Sequence, residues 1–227
     1  MTQPAGNIDV YLEIGSKRTF SGAIEWPGWC RSGRDVDAAL QALVDYGPRY
    51  ARVSQASQIA FHPPSDRSDL VVVERLAGDA STDFGAPGLA PSHDARPMDE
   101  AELQRLQILL QACWHEFDRT IAGAVGKDLR TGPRGGGRTL DKIVQHVLDA
   151  DGSYLGRLAW KGKIEAEGVS QRLAQTRQAI LDALAAAAHG DLPTRGPRGG
   201  VMWTPRYFAR RVAWHVLDHA WEVEDRT

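Results

Sequence analysis

The spacing of apolar positions changes along the chain, and the change marks out its elements. Residues 8–14, IDVYLEI, and 18–26, RTFSGAIEW, read as strands, and the short GSK between them suits a hairpin. PGWCRSG then breaks the pattern. In DVDAALQALVDYG, residues 35–47, apolar side chains recur at helical spacing through Val36, Ala39, Leu40 and Leu43, with Asp35 placed to cap the start and Gly47 the end. Pro48 can open a further short helical stretch toward Ser57. DLVVVERL, residues 69–76, returns to strand, and the run Val71–Val73 predicts burial on both faces. The first part therefore reads β-β-α-β.

Residues 78–97, GDASTDFGAPGLAPSHDARP, have no apolar period and are rich in Gly, Pro, Ser and Asp, the pattern of a linker or long loop. Beyond them the spacing is helical throughout. A first helix over about 99–125 carries Leu103, Leu106, Leu109, Leu110, Trp114, Phe117 and Ile121 on one stripe. A second follows Thr139 and runs to about Trp160, and a third covers about 170–189 and stops at Gly190. A fourth starts at Thr204, has Pro205 in its first turn, and reaches about Glu224. Four amphipathic helices predict a four-helix bundle, so the fold class is α+β. The boundaries are an α/β module over 1–80, a linker over 81–97 and the bundle over 98–227.

Composition narrows the functional classes. The chain has 227 residues, is 42% hydrophobic and 25% charged, and carries a formal net charge of -2. That suits a globular protein with a proper core and provides no broad basic surface for nucleic acid or an acidic membrane. No apolar run approaches the ~20 residues of a membrane span. The opening MTQPAGNIDVYLEIG lacks a basic segment followed by an apolar one, so no secretory signal is expected. Cys30 and Cys113 are isolated, without a CxxC, which fits reduced thiols, a cytoplasmic setting and burial as small hydrophobes.

The candidate chemistry lies in histidines. RRVAWHVLDHAWEVEDR holds His215 and His219 four residues apart, on one helical face with Phe208, Val212 and Glu222. DKIVQHVLDADGSYL repeats the letters HVLD from His146, on a stripe with Ile143 and Ala150. GPRGG also occurs twice, at 132–136 and 196–200, each time ahead of a Thr and a helix, a weak internal repeat. Neither copy follows a strand or ends in Lys-Ser/Thr, so neither is a phosphate loop. Three imidazoles aimed at one interior have two explanations. They are core groups bonded to carbonyls and carboxylates, or they hold a divalent ion and leave a coordination position open for water or substrate. Spacing alone leaves both open.

Residues 98–227 resemble the DinB/YfiT-like metalloenzymes, a superfamily that includes thiol-dependent transferases. The features are the four-helix pattern, a histidine early in the second helix within IVQHVLDADGSYL, and HVLDHAWEVEDR on the fourth. The resemblance implies a divalent metal, Zn²⁺ or Ni²⁺ with Fe²⁺ also compatible, on His146, His215 and His219. It implies an enzyme that activates a low-molecular-weight thiol, or water, against a small-molecule substrate. A non-catalytic metal- or ligand-binding sensor is the alternative. The expected partners are that small molecule and a second copy of the chain. FSGAIEWPGWCRSGRDVDAALQALVDYG, through Pro27, Gly28, Gly33 and Asp35, resembles the HicB-like antitoxin fold at the level of fold only.

Further residues are candidates by position. Glu222, one turn past His219, is placed to be a catalytic base or the acceptor behind a ligand histidine. Asp149 and Asp218 could orient an imidazole or form ordinary ion pairs. Ser153, Tyr154 and Arg157 follow His146 and could line a substrate cavity. Arg195, Arg198, Arg206, Arg210 and Arg211 gather around the start of the fourth helix, as a solvated rim or as an attractor of carboxylates. Trp26 and Trp29 flank the PG turn, and His115 is expected at a helix surface.

Overall fold

The structure is a computed structural model and describes residues 7–131 and 137–227. The first GPRGG, 132–136, lies outside the described residues, and with it half of the repeat. The chain divides between Arg96 and Pro97 into two compact units.

The first unit is built on a four-stranded sheet of order β3-β2-β1-β4. β1 (Ile8–Ile14) and β2 (Thr19–Ala23) form the expected antiparallel hairpin, with Val10 opposite Ala23 and Ile14 opposite Thr19. Gly22 stands opposite Tyr11, and a Cβ there would meet the tyrosine ring at 2.5 Å, so the closeness of the two strands needs glycine. β3 (Cys30–Gly33) was not expected. The PGW segment that breaks the pattern is a turn, closed by Trp29 N–H donating to Trp26 O at 3.1 Å, and the chain then pairs back antiparallel onto β2. The observed order is therefore β-β-β-α-α-β.

Asp35 caps α1 (Val36–Asp45) by accepting from Ala38 N–H at 2.8 Å. α1 packs on β2 and β3. α2 (Gly47–Ser57) follows, and β4 (Leu70–Ala77) then joins β1 in parallel. The two tryptophans serve this unit's own core. Trp29 is fully buried, stacks on Tyr50 at 5.8 Å, meets Phe61 edge-on at 4.9 Å, and donates its indole N–H to Leu43 O at 2.9 Å. Trp26 meets Phe61 edge-on at 4.8 Å.

The expected two-sided burial of Val71–Val73 does not occur: Val71 and Val73 are 36% and 51% exposed. β4 is an edge strand whose burial alternates, because α1 covers the other end of the sheet. The stretch read as a linker contains α3 (Ala80–Phe84) and a short 3-10 turn over Ser92–Ala95. It also satisfies a buried carboxylate of β1. Glu13, fully buried, accepts from the Thr82 hydroxyl, from Gly88 N–H at 2.9 Å and from Leu89 N–H at 3.0 Å. Three donors offset the desolvation that an ionised side chain would otherwise suffer inside a sheet.

The second unit holds four long helices: α4 (Glu100–Ala124), α5 (Leu140–Arg157), α6 (Val169–Ala188) and α7 (Pro205–Arg226). α7 packs on α4, α5 and α6, and α5 also packs on α6. Its helical face explains this central place. Phe208, Val212, Ala213, Val216, Leu217 and Ala220 are all fully buried, a helix apolar on most of its circumference. The stripe of α4 is buried as expected from Leu103 to Phe117. Thr204 caps α7 weakly, accepting from Tyr207 N–H at 3.4 Å, whereas Thr139 precedes α5 without a side-chain cap. At the end of α6, Gly190 adopts φ +80° and lets Asp191 N–H return to Ala186 O at 2.8 Å. The second GPRGG forms a tight turn ahead of α7, with Gly196 N–H donating to Gly200 O at 2.8 Å.

Candidate metal centre

α5 and α7 bring three imidazoles together. His146, His215 and His219 each present a ring atom, and these three atoms lie within 4.8 Å of one another. Nε2 of His215 stands 3.2 Å from Nε2 of His146. The ring centroids are 4.7–5.0 Å apart and the rings cross at steep angles, so lone pairs converge on one point instead of stacking. His215 and His219 are each 7% exposed, and His146 is half-buried.

Burial, reinforced by the neighbouring imidazoles, holds the His215 pKa well below the ordinary value and lowers that of His146. These rings are therefore neutral at pH 7, and each then has one nitrogen lone pair to offer. One proton between two facing nitrogens satisfies a pair, not a trio. Two nitrogens bound tetrahedrally to one ion at about 2.0–2.1 Å stand about 3.3 Å apart, and the observed 3.2 Å fits that separation. The donor set thus fits a divalent ion, and the His146–His215 pair already has the separation that one requires.

His219 is fixed from behind. Its Nδ1–H donates to Glu222 Oε2 at 2.8 Å, which fixes the orientation of the ring beside the cluster. The other Glu222 oxygen accepts from Arg226 Nη1 at 2.8 Å. The hydrogen bond from His219, with help from Arg226, holds the Glu222 pKa below the ordinary carboxylate range. A carboxylate so engaged is an orienting acceptor and a poor proton abstractor, so of the two roles open to Glu222 the geometry is that of the acceptor. Arg226 is itself anchored, donating to Arg130 O at 2.8 Å and Arg138 O at 3.0 Å, which ties both flanks of the α4–α5 connection to α7. The sequence placed Glu222 one turn past His219, whereas the part played by Arg226 four residues further on was not read from it. His215 lacks such a brace: its Nδ1 is buried without a hydrogen-bond partner among the described residues.

The remaining candidates separate. Tyr154 sits against His215 at 5.8 Å between ring centroids, and its hydroxyl accepts from Arg211 at 3.2 Å. Burial raises its pKa, so it is a neutral phenol. Ser153 and Arg157 are exposed on α5, with Arg157 reaching over the Trp203 ring at 5.8 Å. Asp149 is an exposed partner of Gln145 at 2.6 Å and faces Arg172 at 4.0 Å. His115 is exposed, and Cys30 and Cys113 are buried free thiols, with burial pushing the Cys113 thiol far upward. The arginines do not form one solvated rim. Arg195 and Arg198 are exposed, whereas Arg206 and Arg210 are buried, and Arg206 bonds Glu102 and donates to Pro97 O at 2.7 Å.

The second unit thus combines four long helices with three histidines, on two of them, that could hold a divalent ion, one of them braced by a carboxylate. Residues 109–223 match the sequence profile of the DinB superfamily. The chain belongs to that superfamily, which is metal-associated. The match includes all three histidines and Glu222 and lies wholly within the second unit. No curated protein and no solved structure matches the chain. Among the described residues no helix is long and apolar enough to cross a membrane.

Proposed function

We propose that the second unit is a DinB-type four-helix bundle whose three histidines hold one catalytic divalent ion, and that the protein activates a thiol, or else water, as a nucleophile. The observation that carries this reading is the convergence of His146, His215 and His219, with Glu222 bonded to the ring of His219 from behind. Imidazole ligands suit Zn²⁺ and Ni²⁺, and also Fe²⁺. Such an ion, when bound, lowers the pKa of a coordinated thiol or water enough to yield a nucleophile at neutral pH.

The chain's own groups do the rest. Three protein ligands leave coordination positions for the substrate. The half-buried His146 lies at the solvent side, where a small molecule enters. Glu222 and Arg226 keep His219 from rotating. Tyr154, neutral beside His215, offers a hydroxyl that can donate to a substrate oxygen. A thiol-dependent transferase or isomerase reaction, in which a low-molecular-weight thiol adds to an electrophile, is the leading one, with hydrolysis next. Turnover that requires added Zn²⁺ or Ni²⁺ and is abolished in His146→Ala supports catalysis. Stoichiometric metal binding without turnover on any thiol–electrophile pair would instead leave a binding or sensing role.

A further inference from the structure

The first unit holds a cavity of about 290 Å³, near the lower end of the range that accepts a small organic molecule. Three stretches of chain meet there. β1 contributes Asp9, the approach to the PGW turn contributes Glu25 and Trp26, and the connection after α2 contributes Phe61 and His62. Ile24 N–H donates to Asp9 O at 2.9 Å, which holds the first two stretches side by side.

The aromatic wall of this cavity is already formed. Trp26, half-buried, meets Phe61 edge-on at 4.8 Å, and Phe61 is buried and meets Tyr50 at 5.1 Å. The Tyr50 hydroxyl donates to Pro27 O at 2.9 Å and so ties the wall to the turn. Rings packed in this way need no ordering when a guest arrives.

The charge of the cavity has one sign. Asp9 and Glu25 bring two carboxylates, and no Lys or Arg lines it. Among the described residues the Asp9 carboxylate has no hydrogen bond or ion pair, and Glu25 has one ion-pair neighbour, His93 Nε2 at 3.1 Å. Asp9, Glu25 and His62 are not gathered around an ion, because among the described residues only the histidine trio brings three such donors close enough. The guest that matches is organic. It has a positive group for the carboxylates and an apolar body for the rings, and a cation near an aromatic face gains further attraction.

We infer that this cavity is a second ligand site, which takes a small organic cation: its ammonium group lies between Asp9 and Glu25, and its apolar body lies against Trp26 and Phe61. The site is separate from the histidines and needs no metal, and it makes the first unit a ligand-binding module.

The test uses the full chain with a chelator present, so that no amine bound to a metal contributes. Two guests of one shape are titrated: benzylamine, which is protonated at neutral pH, and benzyl alcohol, which is uncharged. Amide NMR shifts at Ile8, Asp9, Glu25 and Phe61 report binding of each. Wild type binds the amine about 10-fold more tightly than the alcohol at low salt, and ~0.5 M NaCl narrows the difference. The double variant Asp9→Asn, Glu25→Gln changes two exposed positions and brings the ratio to about one, with alcohol affinity unchanged. Equal binding of the two guests by wild type, an unchanged ratio in the double variant, or no shift at these residues up to about 10 mM amine overturns the inference. Each of these results leaves the metal reading as it stands, since no metal takes part.

Discussion

Asp151 offers the sharpest thermodynamic prediction. It lies on α5 five residues past His146, is 1% exposed, and has one carboxyl oxygen without a hydrogen-bond partner among the described residues. Burial pushes its pKa from 3.8 up to about 8, with Arg177 only partly opposing. The folded protein therefore keeps this carboxyl protonated at pH 5–7, whereas the unfolded chain ionises it above about pH 4. Over that window the folded state binds the extra proton, so stability falls as pH rises. The slope is about 1.4 kcal/mol per pH unit, or about 2.7 kcal/mol between pH 5 and pH 7. Asp151→Asn keeps the shape and cannot ionise. Its stability relative to wild type, from urea unfolding at both pH values, should rise by roughly that amount between pH 5 and pH 7. All other titrations cancel in the difference. A difference that stays constant across the two pH values would show that Asp151 is ionised in the folded protein, and the account of its burial would be wrong.

Three further substitutions test separate parts of the structure. Glu222→Ala frees the His219 ring to rotate and should weaken metal binding by about 10- to 100-fold in a competition with a chromophoric chelator. Glu13→Gln sets an amide N–H₂ among the donors from Thr82, Gly88 and Leu89. It should cost about 2–3 kcal/mol and speed amide exchange at Gly88 and Leu89. Ala159 follows α5 with φ +58°, a conformation that suits glycine. Ala159→Gly should stabilise by about 0.5–1 kcal/mol, read as a raised Tm.

What could be read from the residues divides along physical lines. Helices longer than four turns declare themselves, because Leu103 to Phe117 or Phe208 to Ala220 repeat one stripe many times. β3 is four residues long and begins where the PGW turn ends, too short for any period to register. The valines of β4 have the composition of a strand buried on both faces, but exposure depends on what covers the sheet, which local sequence does not encode. The partners of Glu13 lie about seventy positions away in a stretch of loop composition, so neither the buried carboxylate nor the order it imposes was visible. At the site, the His215–His219 spacing put two rings on one face, and the shared HVLD pointed to His146. The role of Glu222 needed the conformation of His219.

The central claim is that three histidines of this chain hold one divalent ion. Metal analysis of the purified protein, joined to X-ray absorption at the edge of the metal found, tests it directly. About one ion per chain with nitrogen ligands from three imidazoles is expected, and His215→Ala should lose it while keeping its helical circular dichroism. Wild-type protein without a stoichiometric ion after incubation with Zn²⁺, Ni²⁺ and Fe²⁺, or a His215→Ala variant that binds the same ion equally well, would contradict it.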